Sequence, residues 1–287
     1  AFLGVGCARQ AAPPEPPPLG GIYRSDDGGV TFTQKVTLPR RQLEILGRNA
    51  ISNLAQLTPR QVIIPNAEPE TLYVVAAEGV YRSTTAGDTW ERLIVPAREV
   101  FSLSVHPRNP NILLSAATSV FGTRGKILKS LTRAVVWSDT FTAPTSAGET
   151  GTLLRRRRDI PTQITVVAHD SLAPQVVFAG TNTGVLLVST DGGVRWKTRN
   201  AFHQGITGLE ISPTVPGRML LRLADGRLVH SSDGGITVNR SLIGKDANEL
   251  SGLVATEKPE VTHAVLFERP TNNGIETILA GTESGLF

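Results

Sequence analysis

Alternation of apolar and polar positions sets the first elements. Phe101-Ser-Leu-Ser-Val105 alternates strictly, as a half-buried β-strand does. His106-Pro-Arg-Asn-Pro-Asn111 interrupts it as a turn, and Ile112-Leu-Leu-Ser-Ala116 resumes. The same order recurs at Ile164 to Val167 and Val176-Val-Phe-Ala179. A third kind of string opens on glycine: Gly21-Ile-Tyr-Arg24, Gly79-Val-Tyr-Arg82, Gly125-Lys-Ile-Leu-Lys129 and Gly226-Arg-Leu-Val-His230. Each of these runs into a compact polar turn, after which an aromatic residue usually opens an outgoing strand.

These turns are copies of one pattern, Ser-x-Asp-x-Gly-x-Thr-Trp. They run Ser25–Phe32, Ser83–Trp90, Ser130–Trp137, Ser189–Trp196 and Ser231–Val238. Ser25, Ser83, Ser130, Ser189 and Ser231 open them. Asp27, Asp191 and Asp233 supply a carboxylate for backbone amides, while Gly29, Gly87, Gly193 and Gly235 allow positive φ. Phe32, Trp90, Trp137 and Trp196 present a ring to pack. Thr85 and Thr132 stand where Asp is expected, and Val238 where the aromatic is. Weaker turns are expected there.

The unit is thus strand, Pro/Asn turn, strand, Gly turn, strand, Asp turn, strand. Four antiparallel strands repeated at this spacing predict a β-propeller, an all-β fold. The turns resemble Asp-boxes, or BNR repeats, and the chain from about residue 21 to 287 resembles the YCF48-like and sortilin-like group of Asp-box propellers. Spacings of 58, 47, 59 and 42 residues between turn serines leave no room for a further hidden blade. Five blades are expected, or six or more if the chain is trimmed. Thr277-Ile-Leu-Ala-Gly-Thr-Glu-Ser-Gly-Leu-Phe287 mirrors Thr71–Tyr81, which predicts that the C-terminal strands pair with the N-terminal segment and close the ring.

The N-terminal stretch changes the picture of placement. Ala1-Phe-Leu-Gly-Val-Gly-Cys7 looks like the end of a bacterial lipoprotein signal peptide. Residues 1–6 are read as its remnant. Residues 7–20 are a lipidated Cys7 with a Pro-rich spacer, and 21–287 the propeller. This layout predicts an extracytoplasmic, membrane-anchored domain. Cys7 is the only cysteine, so no disulfide forms within the chain.

Arg155, Arg156, Arg157 and Arg158 form the sharpest charge run in a chain of formal net charge +4. They are a candidate patch for an anionic ligand, although a solvated loop is the favoured explanation. No aromatic interleaves them, which argues against nucleic acid. Arg40 to Gln56 stands outside the repeat, as either a short amphipathic capping helix or an inner strand with a loop.

Enzymatic chemistry finds little footing. Sialidases carry the same repeats but need an arginine triad and a free Tyr nucleophile. Tyr23 and Tyr81 sit at repeat packing positions, and Tyr73 on an inner strand. Other Asp-box glycosidases use paired carboxylates between two propellers. Asp139, Asp170 and Asp225 are isolated here, and the five histidines show no ligand spacing. No catalytic, metal or cofactor residue is assigned. The expectation is a non-catalytic scaffold contacting a membrane or extracytoplasmic protein or a surface glycan. The alternative is a glycoside hydrolase, sialidase-like or of another Asp-box type, with acids on inner-face loops.

Overall fold

The computed structural model describes residues 21–35, 37–38, 54–121, 124–144, 162–243, 262–268, 277–282 and 285–286. Four antiparallel sheets of four strands each follow one another along the chain. Blade one is β3 (Pro59–Ile63), β4 (Leu72–Ala76), β5 (Gly79–Ser83) and β6 (Glu91–Leu93). Blade two is β7 (Val100–Val105), β8 (Leu113–Thr118), β9 (Gly125–Ser130) and β10 (Ser138–Thr142). Blade three is β11 (Ile164–His169), β12 (Val177–Thr181), β13 (Val185–Ser189) and β14 (Lys197–Ala201). Blade four is β15 (Ile206–Ile211), β16 (Met219–Leu223), β17 (Leu228–Ser231) and β18 (Asn239–Ile243). Before them lies a hairpin, β1 (Tyr23–Arg24) with β2 (Thr33–Gln34). After them comes a three-stranded sheet of β19 (Thr262–Glu268), β20 (Thr277–Thr282) and β21 (Gly285–Leu286).

Sheet order follows chain order, and the first strands stand side by side: β3 by β7, β7 by β11, β11 by β15 and β15 by β19. That is a β-propeller with its first strands innermost. The apolar cores lie between blades. Tyr73 and Val75 of blade one meet Leu103, Leu113 and Leu128 of blade two. Leu114 and Ile127 meet Val167 and Val177 of blade three. Phe178 and Leu186 meet Leu209, Met219 and Leu221 of blade four. The alternation seen in sequence works here twice over, since both faces of a middle strand are buried. All six residues of β8 are buried, for instance, which is why these strands read as near-continuous apolar runs.

Four complete blades are described, flanked by an incomplete sheet on each side. β1 leads into the first repeated turn as β5 leads into the second, so β1 is a third strand. β21 pairs with β20 through Gly281–Leu286 and Thr282–Gly285. β5 pairs with β4 in the same way, so β21 is also a third strand. Among the described residues no ladder joins β1 to β21.

The hairpin β1–β2 docks on blade one, as the third strands β5 and β9 do on the turn of the following blade. Lys35 Nζ meets Asp88 Oδ1 at 2.7 Å, Arg24 donates to the carbonyl of Ala86 at 2.7 Å, and the Trp90 amide donates to Thr37 O at 3.0 Å. Of the Arg40–Gln56 segment only Leu54–Gln56 is described, as a 3-10 turn. The inner strand of blade one follows it as β3. Cys7, its spacer and Arg155–Arg158 lie outside the described residues.

Candidate functional site

The repeated turns are built as their sequence suggests, with one acceptor set per turn. Ser189 Oγ accepts from the amides of Gly193 (2.8 Å) and Asp191 (3.3 Å) and donates to Asp191 Oδ1. Asp191 Oδ1 then accepts from the amides of Val194 (3.1 Å) and Arg195 (2.8 Å). Asp27 and Asp233 repeat the arrangement, adding the hydroxyls of Thr31 and Thr237. Those hydroxyl bonds lead the causes that hold both carboxyls down to about 2. Trp90 is buried, and Trp196 Nε1 donates to Gly193 O at 3.2 Å. Phe32 is 65% exposed. All these residues sit at turns and perform a structural task.

Chemistry gathers instead on the axis, through a device that the alternation concealed. Every inner strand carries a register break at its second residue: Pro59/Gln61, Val100/Ser102, Ile164/Val166, Ile206/Gly208 and Thr262/Ala264. Such a bulge leaves one residue outside the ladder. In the four complete blades these residues are Arg60, Phe101, Thr165 and Thr207, and all four line one axial pocket of about 190 Å³. Their neighbours Gln61, Ser102, Val166 and Gly208 form the next layer.

Two charged residues complete the pocket from blade four. Glu210 occupies a place held by Ile63, Ser104 and Ala168 in the other blades, by register. Arg222 lies opposite Gly208, where the other blades have Val75, Ala116 and Gly180. Gly208 explains how an arginine fits there: a Cβ on it would meet the Arg222 side chain at 3.2 Å. Arg222 Nε donates to Thr207 Oγ1 and a terminal nitrogen to Thr207 O, each at 3.2 Å. Across the axis, Arg60 pairs with Glu99 at 2.7 Å and stands 5.5 Å from the Phe101 ring centre. Glu210 is open to water at its surface, yet protein rings it. That desolvation pushes its carboxyl up to about 7, against the pull of Arg222. The same surroundings lower Arg222.

None of these axial residues was singled out from sequence. The available signal was a misfit: Arg in Met219-Leu-Leu-Arg-Leu223 and Glu in Leu209-Glu-Ile211, each in an otherwise apolar strand. The isolated acids are accounted for locally. Asp139 pairs with Lys126, Asp225 with Arg227 at 2.7 Å, and Asp170 Oδ1 accepts from the amides of Leu172 and Ala173. His106 Nδ1 and Ser212 Oγ play that same turn role in neighbouring blades. His106 and His169, distant in sequence, meet edge to face at 5.5 Å. Burial pushes His169 down to about 3, and Ser104 Oγ lies 2.8 Å from its Nδ1. Among the described residues no cluster of three or more His, Cys, Asp or Glu could hold a metal ion, and no helix is long and apolar enough to cross a membrane.

The fold and its axial site define a β-propeller, and comparison with solved structures agrees. An ancestral GH74 enzyme superposes with a TM-score of 0.61 at 14% identity, over 94% of this chain and 33% of that one. The GH74 enzyme of Niastella koreensis gives 0.53 at 17% identity, over 79% and 33%. YCF48 from Cyanidioschyzon merolae gives 0.51 at 14% identity, over 80% and 66%. The chain spans about a third of the length of those GH74 enzymes. At such identities the likeness is one of fold. No protein-family model matches the chain, and no curated protein does.

Proposed function

We propose that the chain is a non-catalytic binding propeller whose axial pocket contacts a ligand or partner, with its repeated turns acting as Asp-boxes of the YCF48-like kind. One observation carries this reading. The pocket lining holds two guanidinium groups and a single carboxylate, Glu210, among the described residues. Paired-carboxylate glycoside hydrolysis needs two acids about 5–10 Å apart. The test is a panel of aryl glycosides and sialosides together with affinity capture from membrane extracts. Inertness on the panel with capture of a glycan or protein supports the reading. Turnover that is lost in Glu210→Gln overturns it.

A hydrolase reading keeps one specific support: a carboxyl raised to about 7 suits a proton donor. The likeness to GH74 propellers points the same way, and the panel decides between the two.

For placement, we propose acylation at Cys7 and an extracytoplasmic, membrane-anchored position on the Pro-rich spacer. Full-length protein expressed in bacteria then partitions into detergent, and Cys7→Ser releases it. Wild-type protein found in the aqueous phase refutes the anchor. The Arg155–Arg158 run is proposed as an auxiliary contact for anionic headgroups or partners, read out by loss of vesicle binding on its neutralisation.

A further inference from the structure

The hydrogen-bond balance of the axial pocket is uneven. Thr165 Oγ1 already donates to the carbonyls of Gly180 and Ile206, and Thr207 Oγ1 to that of Arg222. Gln61 Oε1 accepts from the Leu103 amide at 2.9 Å, which leaves its amide nitrogen to donate. Arg222 uses two nitrogens on Thr207 and keeps donors in hand. Gln61 and Arg222 thus keep donors for the cavity, which suits an anion.

We propose that this pocket binds the carboxylate of a uronic-acid sugar between Arg222 and Glu210, with Glu210 bound in its protonated form. The inference rests on the binding-propeller reading above and names its ligand. Two carboxyl groups sharing one proton beside a guanidinium form a stable arrangement, whereas two carboxylates repel. A cavity of about 190 Å³ has room for one sugar ring. Phe101 adds apolar surface to the lining, and the threonine oxygens can accept from the sugar's hydroxyls.

The charged groups around Glu210 are few. β16 brings Arg222, and β3 brings Arg60 with its partner Glu99. β7 and β11 contribute neutral Phe101, Ser102, Thr165 and Val166. β19, the strand beyond β15, carries His263 at its bulge and Glu268 at its far end.

The test is titration calorimetry on the whole chain with D-glucuronate, its methyl ester and N-acetylaspartate, between about pH 5.5 and 8.5. Glucuronate is expected to bind and the ester to bind at least tenfold more weakly. Above neutrality the Kd rises about tenfold per pH unit, because each ligand then brings in one proton. Glu210→Gln retains binding and flattens the pH dependence, which separates Glu210 from His263. Arg222→Gln loses binding. Should that variant misfold by circular dichroism, the Glu210→Gln profile decides alone. Equal affinity for acid and ester, a flat wild-type profile, or no glucuronate binding at any pH overturns the inference. N-acetylaspartate binding with glucuronate silent also overturns it, in favour of a peptide acid. Failure here with no glycoside turnover leaves the binding reading standing; turnover removes both.

Discussion

The fourth and third repeated turns solve one problem with different materials. In the fourth, Gly192 and Gly193 take φ of 70° and 85°, and Asp191 collects two amides. In the third, Arg133 and Ala134 are forced to φ of 54° and 69°, and Thr132 Oγ1 collects only the Val136 amide, at 2.8 Å. A non-glycine residue held there is strained by about 1 kcal/mol or more. The third turn compensates by packing. Ala134 belongs to the core shared by blades one and two, and Arg133 pairs with Glu68. The serine is common to both turns and buried in both. The lesson is that the serine defines the turn, while carboxylate and glycine refine it.

The largest effect should come from exchanging the tight residue. In Gly193→Ala the new methyl meets Leu114 at 2.9 Å at a positive φ, so a loss of about 2–3 kcal/mol is expected in urea unfolding. The converse, Ala134→Gly, trades relieved strain against one buried methyl and should stay within about 1 kcal/mol of wild type. Equal costs for the two would break the comparison.

Next comes the serine itself. Ser189→Ala and Ser130→Ala each strip the acceptor from two amides, and each should cost about 1–2 kcal/mol. A negligible cost at Ser130 would mean that packing alone sets the third turn.

Acid separates the turns more gently. Asp233 titrates near 2 in the fold against an ordinary 3.8, and Asp191 is also lowered, first by the Arg195 amide. Their stabilisation is complete above pH 4 and lost as pH falls toward 2. The protection of the Arg195 and Thr237 amides relative to their intrinsic exchange should therefore fall across that window, while that of Val136, held by a hydroxyl, shows no such step. The smallest change is Thr132→Asp, expected to add roughly 0.5 kcal/mol by replacing the hydroxyl that accepts from the Val136 amide with a charged carboxylate.

The propeller was readable because its repeat is local: the turn serine, the glycine-led third strand and the Pro/Asn turn fall at fixed offsets. The axial pocket was not, for a physical reason. Alternation analysis assumes one partner per residue, and a bulge violates that assumption at Arg60, Phe101, Thr165 and Thr207. Arg222 was hidden further, because its access to the axis depends on the missing side chain of Gly208, on a different strand.

The bulges also bear on how such a molecule changes over generations. A residue outside the ladder owes nothing to strand pairing and little to the cores between blades. Arginine, phenylalanine and two threonines stand at equivalent places in four blades that otherwise pack alike. Mutation can explore this ring almost one letter at a time, rewriting what the axis recognises while the architecture is inherited unchanged.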